Sequence, residues 1–95
     1  MSVLRDDEIA QALTTLVGWG VRDGELEKTY DRRDFDGSLA FVNAIAAKAN
    51  AQNHHPDLAI SWNRVTVRLS SHDAGGITDR DLRLARSIDA LAELP

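Results

Sequence analysis

Between Leu58 and Leu69, apolar and polar residues alternate, and no other feature of the chain constrains the fold as strongly. Leu58, Ile60 and Trp62 alternate with Ala59 and Ser61; beyond Asn63-Arg64, Val65, Val67 and Leu69 alternate with Thr66, Arg68 and Ser70. A period of two sends successive side chains to opposite faces. The segment therefore predicts an antiparallel hairpin, turning at Asn63-Arg64, with one apolar and one polar face. Trp62 is expected to be a buried strand residue. A sheet that is apolar on one side must be covered there by a second layer.

The rest of the chain supplies that layer. Ile9, Ala12, Leu13, Leu16 and Val17 recur at three- and four-residue spacing and predict a helix from about Asp6 to Val17, closed by Gly18. Trp19 to Val21 and Leu26 to Arg32 read as two strands joined by Asp23-Gly24, a hairpin-turn pair. Leu26, Lys28 and Tyr30 would share a face. Asp34 or Asp36 then caps a helix running to about Gln52, with Phe41, Val42, Ile45, Ala46 and Ala49 as its buried stripe. Thr78-Asp-Arg-Asp81 has the capping-box spacing and opens a last helix to about Glu93, with Leu84, Ala85, Ile88, Leu91 and Ala92 inward. The order is α-β-β-α-β-β-α. It predicts a two-layer α+β domain over residues 1–95, a four-stranded antiparallel sheet with three helices on one face.

Composition narrows the function classes. The 95 residues include no cysteine, which excludes disulfides, thiolate metal sites and thiol nucleophiles. The net charge of −4 and pI near 5.2 argue against nucleic acid as a partner, since phosphate contacts want a basic face. No apolar run approaches the roughly 20 residues that span a bilayer. The acidic start, Arg5-Asp-Asp-Glu8, has no secretory apolar region. A cytoplasmic protein without membrane contact is expected. A small domain without staples has a thin core, so a homo-oligomer is expected as well.

The three histidines fall within nineteen positions: His54 and His55 in Asn53-His-His-Pro-Asp57, and His72 in Ser71-His-Asp73. The intervening hairpin brings the chain back toward its start, so His72 can lie near the pair. Pro56 fixes its own φ and biases His55 to an extended backbone. Four readings are open. The histidines can be structural. They can hold a metal, although adjacent residues in extended chain point to opposite sides and no ligand spacing is evident. Ser70 or Ser71 can be a nucleophile beside a histidine, although no nucleophile-elbow pattern is present. Or the imidazoles can act as general acids and bases near neutral pH.

The same residues carry a resemblance. Asn53-His-His-Pro-Asp57, Trp62, Ser71-His72, Gly75-Gly-Ile-Thr78 and Asp81 resemble the pterin-4a-carbinolamine dehydratase family, and Gly18-Trp19, Asp34-Phe35, Leu84-Ala85 and Ile88 extend the likeness over nearly the whole chain. The resemblance implies an α-β-β-α-β-β-α fold and dehydration of a 4a-hydroxytetrahydropterin to quinonoid dihydropterin and water. It implies no metal and no cofactor, and subunits that form homodimers or homotetramers. It places His54, His55 and His72 around the pterin, with His54 and His72 as proton donors and His55 orienting the ring. Pro56, Ser70, Ser71, Asp81 and Trp19 are further candidate substrate contacts. Asp81 has a second reading as helix cap, Trp19 as core aromatic, and Gly75-Gly76 as a turn. The family usually has an acidic residue where this chain has Asn50. That departure leaves open a non-catalytic relative, an interaction, dimerisation or assembly protein.

Overall fold

The structure is a computed structural model that describes residues 2–94. Met1 and Pro95, the ends of the expected 1–95 domain, lie outside the described residues. Among these residues the chain runs α1 (Asp6–Leu13), β1 (Gly20–Arg22), β2 (Glu25–Asp31), α2 (Phe35–Gln52), β3 (Asp57–Ser61), β4 (Arg64–Leu69) and α3 (Asp79–Ala92). The strands form one antiparallel sheet in the order β1-β2-β4-β3. This is a two-layer α+β fold, with the three helices covering one face of the sheet.

The alternation in β4 becomes burial. Val65, Val67 and Leu69 are fully buried, while Thr66 and Arg68 face the other side. Leu26 lies opposite Leu69 and Tyr30 opposite Val65, so the inner faces of β2 and β4 form one apolar floor. Ile45 of α2 and Leu84, Ala85 and Ile88 of α3 close over it. The outer face is polar: Arg68 donates to Glu27 at 2.8 Å, and the Thr29 and Thr66 hydroxyls meet at 2.9 Å.

Several local expectations shift. α1 ends at Leu13, because the Thr14 and Thr15 hydroxyls donate back to Gln11 O and Ala12 O and the chain turns there. Leu16 still reaches the core, but Val17 is 79% exposed. The second helix is capped by Asp34, whose side chain accepts the Gly37 N–H at 2.7 Å. Its buried face includes Ser38 in place of Ala46, because the Ser38 hydroxyl donates to Trp62 O at 2.6 Å. The second hairpin turns at Trp62-Asn63, one residue earlier than expected: Ser61 pairs with Arg64, which puts Arg64 inside β4. Trp62 takes a left-handed backbone, φ 49°, and is 64% exposed, so it is not a buried strand residue. The first hairpin behaves as its Asp23-Gly24 pair requires, with positive φ at both positions.

Lys28 faces inward on β2 without being stranded there. Its Nζ donates to Asp89 Oδ1 and to Val17 O, each at 2.8 Å. Asp89 also accepts from the Tyr30 hydroxyl at 2.5 Å and the Trp19 Nε1–H at 3.1 Å. One carboxylate thus joins α3, β2 and the loop before β1. Burial, then the Asp89 acceptor, push the Tyr30 phenol above its ordinary range. Stability therefore falls as the pH rises through the ordinary tyrosine range, about 10. Replacing Asp89 by alanine leaves three donors without their shared acceptor. The expected loss is about 2 kcal/mol, or a Tm lower by roughly 8–16 °C. Thermal and urea unfolding measure it, and an unchanged Tm would remove Asp89 from this role.

Candidate active site

His54 is placed by the end of α2. Asn53 adopts a left-handed conformation, φ 50°, which asparagine tolerates, and ends the helix. The His54 N–H then returns to Ala49 O at 3.1 Å, so the histidine backbone is tied to the last helical turn. The sheet register places the other histidines. Asp57 pairs with Arg68 as the last pair of the ladder, so His55 and Ser70, each two residues beyond it, leave the sheet at the same end. Beyond Ser70 the chain makes a tight loop closed by a bridge between Ser71 and Gly76, and His72 stands on this loop. Thr78 then caps α3 and turns its first residues back under the loop.

Asp81 sits at the centre and is fully buried. Its Oδ1 lies 2.5 Å from His54 Nε2. Its Oδ2 accepts the Ser71 hydroxyl and the Thr78 N–H, each at 2.9 Å. The Ser71 and Thr78 hydroxyls meet at 2.7 Å. The capping reading of Asp81 is realised, with one oxygen on the helix N-terminus, while the other oxygen meets His54. An ionised carboxylate only accepts, so opposite an ionised Asp81 the His54 ring presents Nε2–H. Burying Asp81 without these donors would be costly.

The other two histidines are exposed. His55 Nε2 lies 3.0 Å from Asn50 Oδ1, so Asn50 touches the second histidine of the pair. His72 Nε2 lies 3.5 Å from the Ser70 hydroxyl, too far to hold the ring firmly. Its loop is held elsewhere: Arg80 donates to Asp73 at 2.6 Å, and this bond keeps the Asp73 carboxyl below the usual carboxylate range. The restraint is present above that range and is lost as the pH falls through the depressed value.

The structure thus joins His54, Ser71 and Asp81 directly, and brings His55, Ser70 and His72 to the same end of the sheet. Pro56 is half-buried between His55 and β3. Ser71 turns its hydroxyl inward, onto Thr78 and Asp81. Trp19 is placed elsewhere: its indole N–H is on Asp89, about two turns and roughly 12 Å along α3 from Asp81. The Arg80–Asp73 contact was not expected from the sequence; only the adjacency of Asp73 to His72 and of Arg80 to Asp81 hinted at it. Among the described residues, no group of three or more His, Cys, Asp or Glu side chains is arranged to hold a metal ion.

These features define a class: a small α+β domain with a histidine held by a buried carboxylate and two further imidazoles at the surface. Residues 2–91 match the sequence model of the pterin 4 alpha carbinolamine dehydratase family, and the chain belongs to that enzyme family. A Thermosynechococcus vestitus protein that carries the pterin-4-alpha-carbinolamine dehydratase name provisionally is 51% identical, the match covering 90% of each chain. One from Metallosphaera sedula, named in the same way, is 45% identical over 99% of this chain and 98% of its own. The crystal structure of a Brucella melitensis transcriptional coactivator/pterin dehydratase superposes with a TM-score of 0.91, at 31% identity, over 96% of this chain and 99% of that one. A pterin dehydratase-like protein identified as a RuBisCO assembly factor in the alpha-carboxysome shares the fold, with a TM-score of 0.65 at 22% identity over 81% of this chain and 89% of that one.

Proposed function

We propose that the protein dehydrates a 4a-hydroxytetrahydropterin to quinonoid dihydropterin and water. The observation that carries the reading is the buried Asp81 carboxylate shared by His54, Ser71 and Thr78. Hydroxide is a poor leaving group, so the C4a–O bond breaks as an imidazolium protonates the departing oxygen. The N5 proton passes to a neutral imidazole, and water leaves with no net change of protons on the protein. His54 and His72 are the proton-transferring pair. His54 suits this role because Asp81 fixes its ring; His72 suits it because its ring is exposed where a substrate can reach it. His55, engaged by Asn50, orients the pterin. Pro56 and Ser70 border the substrate, whereas Ser71 and Asp81 act from beneath, through His54. Trp19 belongs to the Asp89 cluster and is not used within this subunit. No cofactor enters the scheme, and the protein is read as cytoplasmic. No helix among the described residues is long and apolar enough to cross a membrane.

The test is dehydration of a chemically generated 4a-hydroxytetrahydropterin, with the His72→Ala variant as control. Turnover by the wild type above the spontaneous rate supports the reading; none overturns it. A second reading, a non-catalytic interaction, dimerisation or assembly protein, is favoured by Asn50 in place of the family's usual acid. An inactive wild type would support it.

The same reading includes a homodimer or homotetramer. β3 is an open sheet edge, and Ile60 within it and Trp62 just beyond it, with Phe35 and Leu39 of α2, are exposed apolar side chains. Edges of this kind are usually covered. Light scattering at micromolar concentration is expected to give a dimer or tetramer mass. A monomer at every concentration would overturn this.

A further inference from the structure

Gly76 does not need to be glycine for its own backbone. Positive φ among the loop glycines belongs to Gly75, at 85°, and not to Gly76. What requires the missing side chain is a neighbour. A Cβ at Gly76 would stand 2.9 Å from Val3 Cγ1, a distance at which something must shift, and 3.5 Å from Cγ2, an ordinary contact. One residue on, the Leu4 N–H donates to Ile77 O at 2.8 Å, and the Leu4 side chain packs against the core. The N-terminal segment thus lies along the chain that leaves the His72 loop.

That loop is positioned from several sides. Gly76 O accepts the Ser71 N–H at 2.8 Å, and Ser71 O receives the N–H groups of Ala74 and Gly75. These bonds close the loop on itself. Its outward anchors are the Ser71 hydroxyl on Asp81 and Thr78, the Ile77 side chain in the core, the Arg80–Asp73 contact, and Val3 and Leu4. We propose that Ser2–Leu4 is a positioning strap for the catalytic loop: Val3 against Gly76 and Leu4 on Ile77 set where His72 stands. Val3 and Leu4 touch no substrate and act only through the loop. The inference rests on the proposed function for its effect on rate, and on geometry alone for its effect on His72.

The experiment is a cycle of Gly76→Ala, Val3→Ala and the double variant in the full chain. In Gly76→Ala the new methyl pushes the strap off the loop. His72 ring resonances in NMR are expected to move, and kcat to fall between about 10- and 100-fold, the scale of small misplacements. In the double variant the Val3 γ-carbons are gone, and of the three nearest atoms only the Val3 Cβ, at 3.8 Å, remains by the introduced methyl. His72 resonances and kcat are then expected to return toward wild type. A role in packing alone would lower Tm in Gly76→Ala without moving the His72 resonances, and that outcome overturns the proposal, as does a double variant that fails to restore them. Should Gly76→Ala not fold, Leu4→Pro loosens the strap by removing the donor to Ile77 O together with the Leu4 side chain, and His72 resonances that stay in place in it overturn the proposal. If the wild type has no dehydratase activity, the proposed function fails, and the His72 resonances still decide the strap.

Discussion

Replacing His54 or His72 by alanine is expected to lower kcat by about 10²–10⁴-fold, the usual share of general acid–base catalysis, while the fold persists. The lower end applies if water or the other histidine takes over the transfer. The two losses should differ in character. His72 is exposed and makes one long contact, so its removal should leave Tm near wild type. His54 is buried on Asp81, so its removal also takes a partner from a buried carboxylate and lowers Tm. His55→Ala should raise KM at least as much as it lowers kcat, because that ring orients the pterin. Asn50→Asp places a carboxylate where the amide oxygen now meets His55. A neighbouring negative charge favours the charged imidazole of His55, so the pH dependence of KM, which follows the residue that orients the pterin, should move to higher pH. Steady-state kinetics against pH, with circular dichroism for folding, measure all four. Full activity in both His54→Ala and His72→Ala would end the acid–base assignment.

Asp81→Ala carries the largest expected structural effect. It removes at once the acceptor of the Ser71 hydroxyl, the cap of the Thr78 N–H and the partner of His54. Breaking a fully buried pair of this kind costs about 3–5 kcal/mol, a large part of the stability of a small domain. Urea unfolding should show a much lower midpoint. Asp81→Asn separates the two duties. The amide oxygen can keep the Thr78 N–H and Ser71 hydroxyl, and its NH₂ then faces His54 Nε2. That nitrogen must become an acceptor, so the ring hydrogen moves to Nδ1. The variant should fold close to wild type, lose roughly 10²-fold in kcat, and show the changed tautomer in ¹⁵N NMR. Wild-type turnover with the changed tautomer would sever Asp81 from catalysis.

The legible parts of the fold were those that depend on neighbours in sequence. The period of two in β4, the Asp23-Gly24 turn, the Asp34 cap and the Thr78 capping box each express a local rule, and each is present. The errors arose where two local rules competed. Leu16 and Val17 continue the helical period of α1, yet Thr14 and Thr15 bond back to the helix and end it first. Trp62 fits the alternation of β3, yet the two-residue turn takes it out of the strand, held by Ser38 of a distant helix. Trp19 is an aromatic beside a family-like glycine, and nothing in the sequence says that Asp89, seventy positions away, will take its N–H.

By itself the sequence determined the element order, the apolar faces, the caps and the clustering of three histidines about one hairpin, because these follow from spacing along a single stretch of chain. The tertiary structure alone decided what the chemistry depends on: that the end of α2, the β4–α3 loop and the first turn of α3 meet at Asp81; that one of its oxygens holds His54 while the other caps a helix; that Asn50 falls to His55; and that Val3 occupies the space a side chain at Gly76 would fill. The physical reason is directional. Periodicity and capping assign a residue to a face or a terminus, but a hydrogen bond needs donor and acceptor within about 3 Å and in line, and only the packing of separate elements sets that.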